Sequence, residues 1–472
     1  MKIENIDVNE VIRNAQASIK NDRNISSTTR TVFELLIMLI SILLNRLNLN
    51  SSNSSKPPST DKIKKKKKQK KTNKNPGGQK GHQGSTLEPV NDPDQIHDIA
   101  IDKRTLPKGK KYTIDGYEAR QVINMKISSY VIEYRAQVLV DEQGKKYVAA
   151  FPDGVIRPIQ YGASVKANAV YSSVYQLIPY ERVQEQFRDE YGIPLSKGSI
   201  YNFNNEASNL LVSLGFEQVA KKALQQASVA HADETGINLN GSKIWLHNLS
   251  NEQWTWFAPH EKRGSEAMDD IGIIPSFTGV LCHDHWKSYY TYDCTHSLCN
   301  AHHLRELTRT YEQDKQEWAN QMHIFLTALN KEVDDSRKTK LSKKTIKQRR
   351  EAYRLILDVG EQECPLVKPP PGTKRKPAQS KARNLLTRLR KYEDDVLLFM
   401  INPLVPFTNN QGERDIRMTK VQQKISGCFR SMDGAINFCR VRSYLSTCKK
   451  NGVAASDALE MLFNKTLPKF IQ

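Results

Sequence analysis

Residues 228–259 read SVAHADETGINLNGSKIWLHNLSNEQWTWFAP, and this stretch decides the fold. SVAHADETGINLN, SKIWLHNLS and QWTWFAP are three short strand-like runs joined by turn residues, in meander order. Downstream, GSEAMDDIGI (264–273) predicts a helix capped by Ser265, and FTGVLCHD (277–284) predicts a fourth, buried strand. HSLCNAHHLRELTRTY (296–311) passes from a strand into a helix.

Three antiparallel strands, a helix, a strand, a helix and a further strand is the order of a ribonuclease H-like α/β core with a mixed five-stranded sheet. In that order Asp233 falls on the first, central strand and Asp284 ends the adjacent fourth strand. Glu413, in NNQGERDIR (409–417), opens a helix that returns across their sheet edge. Hard divalent ions take carboxylate oxygens. Two such ions can clamp the attacking and leaving oxygens of a phosphodiester. Glu234, Asp269, Asp270 and Asp293 are rivals by proximity, and most acids in any chain cap helices or face water. Adjacent strand residues point to opposite faces, so one of Asp233 and Glu234 faces away.

Arg417, Lys420 and Lys424 share the helix face of Glu413, beside Asn409, Asn410 and Arg414. This basic stripe suits a DNA backbone, although a solvated helix with internal ion pairs has the same pattern. Cys294, His296, Cys299, His302 and His303 invite a zinc reading. Their spacing departs from paired-cysteine patterns, so structural zinc is disfavoured. The preferred role for His302 and Arg305 is to face the acidic site and hold DNA; a buried, hydrogen-bonded histidine is the plain alternative. Trp286 and Tyr289 are candidates to stack on a base, with core packing the commoner fate.

Working outward, the 472 residues suggest several domains, and a net charge of +20 with pI near 9.4 implies a polyanionic partner. All seven cysteines lie at or beyond Cys282, which reads as reduced thiols of a cytoplasmic, nucleoid-associated protein. The apolar run Val32–Leu44 is shorter than the ~20 residues of a spanning helix, so no membrane association is expected. Residues 1–50 form an N-terminal helical segment whose Phe33, Leu36, Ile40, Leu43 and Leu47 make a coiled-coil-like seam. The alternative is packing on its own protein. Residues 51–88 are a basic arm with Lys64, Lys65, Lys66, Lys67 and Lys68 as phosphate contacts.

Residues 89–157 alternate like a small β-rich module. In residues 158–227, ERVQEQFRDEYG, IPLS and KGSIYNFNNEASNLL read as helix-turn-helix, with Gly192 stopping the first helix and Ser196 capping the second. Lys197 and Tyr201 near the second helix's leading end are candidate DNA contacts. The core runs over 228–310, a helical insertion over 311–395, and the final core helix with a tail over 396–472.

The chain resembles the DDE transposases of insertion-sequence-66 type over nearly its whole length. The likeness runs through SSNSSKPPSTD, GGQKGHQGS, FPDGVIRPIQYGASVKANAVY, HADETG, HDHWKSYY, CNAHHLREL, FTNNQGERDIRMTKVQQKISGCFRSMDGA and SYLSTCKKNGVAASDAL, in that order. The resemblance implies that Asp233, Asp284 and Glu413 are catalytic acids holding Mg²⁺ (or Mn²⁺). It implies cut-and-join chemistry on an element's terminal repeats and target DNA, self-association as at least a dimer through the N-terminal helix, and room for accessory transposition proteins. One departure stands out: the family's paired-cysteine zinc module has no counterpart, since Asn91–Tyr147 contains no cysteine. Zinc is therefore not carried over. Two other readings stay open: a DNA-binding regulator that has lost catalysis, and a ribonuclease H-like nuclease.

Overall fold

The computed structural model describes every residue except 1, 4–5, 23, 48, 55–86, 88, 126, 337–340 and 370–376. Lys64–Lys68 lie outside the described residues. The chain opens with a short strand pair, β1 (Lys2–Ile3) and β2 (Ile6–Asp7), and two helices, α1 (Val8–Asn21) and α2 (Ser27–Leu47). Phe33, Leu36, Ile40, Leu43 and Leu47 are all exposed on α2, so the seam is not packed against its own chain. The helix is also longer than the run read from sequence. At 21 residues, α2 is long and apolar enough, by length and composition, to cross a membrane.

The β-rich module expected over residues 89–157 is reduced to one antiparallel hairpin, β3 (Val138–Val140) with β4 (Lys146–Val148). A strand's apolar face needs a second layer to cover it, and a lone hairpin is marginal. Among the described residues no such layer is present: Ile114 is 96% and Val131 93% exposed. The alternating pattern therefore has nothing to pack on.

Helices α3 (Ala163–Val170), α4 (Tyr180–Tyr191), α5 (Lys197–Ser213) and α6 (Phe216–Gln225) follow. Gly192 ends α4 at φ +65°, a left-handed cap that costs glycine nothing. The Ser196 hydroxyl accepts from the Ser199 amide at 2.9 Å to start α5.

The central sheet is mixed and five-stranded, in the order β7-β6-β5-β8-β9. β5 (Val229–Leu239) and β6 (Ser242–Ser250) form an antiparallel hairpin through Asn240 and Gly241. Both have positive φ, matching the twist of a two-residue turn. β7 (Thr255–His260) pairs antiparallel with β6. After α7 (Ser265–Ile271), β8 (Val280–His283) runs parallel to β5, and β9 (Thr295–Leu298) parallel to β8. Ser265 does not cap α7. The cap position is Gly264 with no side-chain bond, and Ser265 is the first helical residue.

Gly279 sets where β8 enters the sheet. A Cβ there would lie 2.3 Å from the Ala227 carbonyl oxygen and 2.8 Å from that of Ser228. Gly279→Ala is expected to cost about 1–3 kcal/mol in chemical denaturation; an unchanged midpoint would remove the close-approach argument.

Leu281 joins one apolar core, with Phe216, Leu246, Phe257 and Tyr444. Its neighbours Val280 and Cys282 join a second, with Trp318, Tyr353 and Leu386. β8 is thus buried on both faces, as a central parallel strand must be. The second core belongs to α8 (Asn300–Asp314) and the helices after it, α9 (Glu317–Ser336), α10 (Lys343–Glu363), α11 (Lys381–Lys391) and α12 (Glu393–Ile401). Finally α13 (Asn410–Ser426) crosses β5 and β6, α14 (Met432–Lys450) packs on β7, and α15 (Ala455–Phe463) closes the first core.

Candidate active site

Asp233 sits mid-way along β5, and Asp284 follows the last residue of β8. The turn after Asp284 is held by its own carboxylate, which accepts from the Trp286 amide at 3.1 Å, while His285 takes φ +73°. Glu413 lies in the first turn of α13. The three carboxylates, far apart in sequence, are close enough to feel one another. Burial first, then the charges of Glu234, Asp284 and Glu413, push the Asp233 carboxyl well above its ordinary range.

α13 is fastened at both ends. Asn409, 2% exposed, gives its Nδ2 to the Ala232 carbonyl at 2.7 Å and meets His231 Nδ1 through Oδ1 at 2.7 Å. Its backbone amide donates to Cys299 Sγ at 3.2 Å, and its carbonyl accepts from the Glu413 amide at 3.2 Å. This one asparagine therefore ties the Glu413 turn to the strand carrying Asp233. Beyond the helix, Phe429 exchanges backbone bonds with Asn238 and Asn240 at 2.9 and 2.8 Å. The sequence points to Asn409 and Asn410 alike; Asn410 is exposed, and only burial separates the two.

Glu234, the rival beside Asp233, is held by other side chains. Its side chain is 1% exposed. Arg263 donates to Oε1 from Nε at 2.8 Å and Nη2 at 2.6 Å, and the Tyr289 hydroxyl donates to Oε2 at 2.7 Å. Both oxygens are taken. Burial, then Asp284, raise its carboxyl pKa despite those donors. Tyr289 is fully buried and spoken for by Glu234, which excludes it as a base-stacking residue. Trp286 carries the Arg263 guanidinium 3.7 Å from its ring centroid, with Trp245 at 4.7 Å from the same group. Asp269 accepts from Tyr292, and Asp270 pairs with His260.

The basic side chains fall into three settings. From α8, His302 Nδ1 lies 3.9 Å from Glu413 Oε1, and Arg305 Nη2 lies 3.8 Å from Oε2. Burial lowers the His302 pKa although Glu413 and Asp284 oppose this. On α13, Asn410, Arg414, Arg417, Lys420 and Lys424 are exposed. Lys420 reaches back to the Gly236 carbonyl at 2.8 Å, and its pKa is lowered by burial and by Lys243 against the pull of Asp233. On α5, Lys197 and Tyr201 are exposed; Lys197 pairs with Glu181 at 2.9 Å. Arg388, from α11, was missed by sequence reading. It pairs with Glu306, and its charge interacts with Asp284. Nothing in its local sequence marks it; only the packing of the insertion against α8 brings it there.

The five residues considered for zinc do not form one cluster. His303 is buried on Asn300 Oδ1 at 3.1 Å, and His296 meets His283 at 3.1 Å. Among the described residues, the group whose metal-ligating atoms lie within 4.8 Å of one another is Cys299, His302 and Glu413. Asp233 and Asp284 stand outside that group. The three acids present all-oxygen donors, and their mutual repulsion at Asp233 is what a hard cation would relieve. They fit a divalent ion by chemistry.

A family described as "Family of unknown function (DUF6444)" matches residues 8–88. The chain is similar to "Uncharacterized protein y4jO" of Sinorhizobium fredii (strain NBRC 101917 / NGR234), 34% identical over 70 residues. That likeness covers 15% of this chain and 22% of the relative, so the chain spans about a fifth of the relative's length. The family described as "Transposase IS66 family" matches residues 158–437, more than half of the chain and inclusive of Asp233, Asp284 and Glu413. With that span, the chain belongs to the IS66 family of transposases.

Proposed function

We propose that this protein cleaves DNA at the ends of an insertion sequence and joins the freed 3′-hydroxyl to target DNA, on a ribonuclease H-like core. What supports the reading is that Asp284, at the end of β8, and Glu413, in the first turn of α13, lie close enough to Asp233 on β5 for their charges, after burial and Glu234, to raise its carboxyl pKa. Asp233, Asp284 and Glu413 would hold Mg²⁺ (or Mn²⁺), which when bound neutralises charge at the scissile phosphate and acidifies the attacking hydroxyl. The chain's own work is placement. Asn409 orients the Glu413 turn, and the Glu234–Arg263–Tyr289 lock holds β5 in line behind Asp233. His302, Arg305 and Arg388 surround the acids with donors for phosphate oxygens. Asn410, Arg414, Arg417, Lys420 and Lys424 extend a positive surface along α13 for the DNA backbone. Lys197 and Tyr201 read or grip a second stretch of duplex from α5. The exposed seam on α2 supplies self-association, bringing two DNA ends together.

The test is purified protein with DNA carrying the repeats that flank the coding region. Divalent-ion-dependent nicks at the repeat ends and strand-transfer products support the reading. Binding without nicks in Mg²⁺ or Mn²⁺ supports a regulator that has lost catalysis, and cleavage without joining supports a nuclease. A narrower expectation concerns α5. Lys197→Ala should weaken binding across sequences and lower the slope of log affinity against log salt by about 1. Unchanged salt dependence would take α5 out of the DNA interface.

A further inference from the structure

We propose that Cys299, His302 and Glu413 form a cation site selective for soft or borderline divalent ions such as Zn²⁺ and Cd²⁺, and that its occupation withdraws Glu413 from Asp233 and Asp284. The second half rests on Glu413 being the third catalytic acid; the first does not.

Local structure builds the site. Cys299 is the N-cap of α8, but its side chain makes no capping hydrogen bond. His302 stands three residues on, the position an N-cap side chain faces. α13 then brings Glu413 against both, so that the three ligand atoms lie within 4.8 Å of one another. His302 Nδ1 and Glu413 Oε1 are closed to solvent and have no hydrogen-bond partner. Buried polar atoms are rarely left so. At 3.9 Å they are too far apart for a hydrogen bond with each other. Ligands of one tetrahedral ion stand roughly 3.3–3.8 Å apart, so a small inward movement completes the geometry. Arg305 approaches the other carboxylate oxygen, Oε2, and leaves Oε1 to the ion.

The donor set sorts the metals. A thiolate and an imidazole favour Zn²⁺, Cd²⁺ or Co²⁺, whereas Mg²⁺ takes oxygen ligands and belongs with the aspartates. Binding exchanges the Cys299 thiol proton for the metal–sulfur bond and releases that proton to solvent. Burial pushes the Cys299 thiol up to about 11, and the Asn409 amide, which donates to this sulfur at 3.2 Å, offsets part of that.

The experiment uses the full-length protein without DNA, titrated with Co²⁺ and then competed with Zn²⁺. One site with a sulfur-to-cobalt charge-transfer band, bleached by Zn²⁺, is expected. Cys299→Ser should remove the band and weaken Zn²⁺ binding at least tenfold, His302→Gln should weaken it similarly, and Asp233→Asn should leave it unchanged. A band and a Zn²⁺ affinity that survive Cys299→Ser would overturn the site, as another of the seven cysteines would then be the ligand. Thermal melting checks that each variant is folded, and His302→Gln decides the matter if Cys299→Ser is not. Zn²⁺ should inhibit Mg²⁺-dependent cleavage by the wild type and not by Cys299→Ser; equal inhibition of both would overturn the withdrawal of Glu413. If no cleavage occurs at all, the transposase chemistry fails while the binding result still stands.

Discussion

Asp233→Asn is expected to lower Mg²⁺-dependent cleavage by on the order of 10³-fold or more, because the reaction loses a charge that no neighbour replaces. DNA affinity should stay within roughly threefold, since phosphate contacts by Lys and Arg are untouched. The same change should stabilise the fold when ions are chelated. In the folded chain the Asp233 pKa is raised well above 3.8, by burial and by Glu234, Asp284 and Glu413. The folded state therefore holds this proton more tightly than the unfolded state does. The associated stability is fully present below about 3.8 and is lost as pH rises through the folded value. At neutral pH without ions, keeping Asp233 in this buried, acidic setting is a net penalty, and Asn removes it. In EDTA the variant's Tm should exceed the wild type's; added Mg²⁺ should raise the wild-type Tm and leave the variant's nearly unchanged. A variant that still cleaves, or that melts lower in EDTA, would sink the assignment of Asp233.

Arg263→Ala is expected to cost about 3–5 kcal/mol, because it strands a buried carboxylate. Glu234 is 1% exposed and takes two of its three side-chain donors from Arg263. The guanidinium also lies against the rings of Trp286 and Trp245, so its loss removes packing as well as a charge. Arg263→Lys should rescue little, since an ammonium cannot make the fork or fill the stack. The double variant Arg263→Ala with Glu234→Gln should recover part of the loss, because a neutral amide is cheaper to bury unpaired. Denaturation showing a loss under about 1 kcal/mol for the single variant would mean that water reaches Glu234 and the lock is not what holds β5.

The core elements were legible because each has a local signature. Alternation and turn residues over 228–259 placed β5, β6 and β7, and Asn240-Gly241 is the hairpin turn that links the first two. Gly192 and Ser196 punctuated α4 and α5 as their capping chemistry requires. Where local pattern alone was trusted, it misled. The alternation in YVIEYRAQVLV predicts strands, but only Val138–Val140 pairs, because among the described residues no second layer covers the rest. Ser265 has the right side chain for a cap one residue too late.

The site divides in the same way. Sequence by itself determined which acids stood on which elements, because strand period and helix-start chemistry depend on near neighbours in the chain. Only the tertiary structure decided that Glu234 is consumed by Arg263 and Tyr289, that Asn409 rather than Asn410 is the buried tie, and that Arg388 arrives beside Asp284 from the insertion. It also decided that Cys299 and His302 converge on Glu413, over a hundred positions away, instead of on the nearer Cys294 and His296. The reason is physical: hydrogen-bond partners and Coulomb neighbours are set by distance in space, and that distance is created by packing α8, α11 and α13 around one sheet edge.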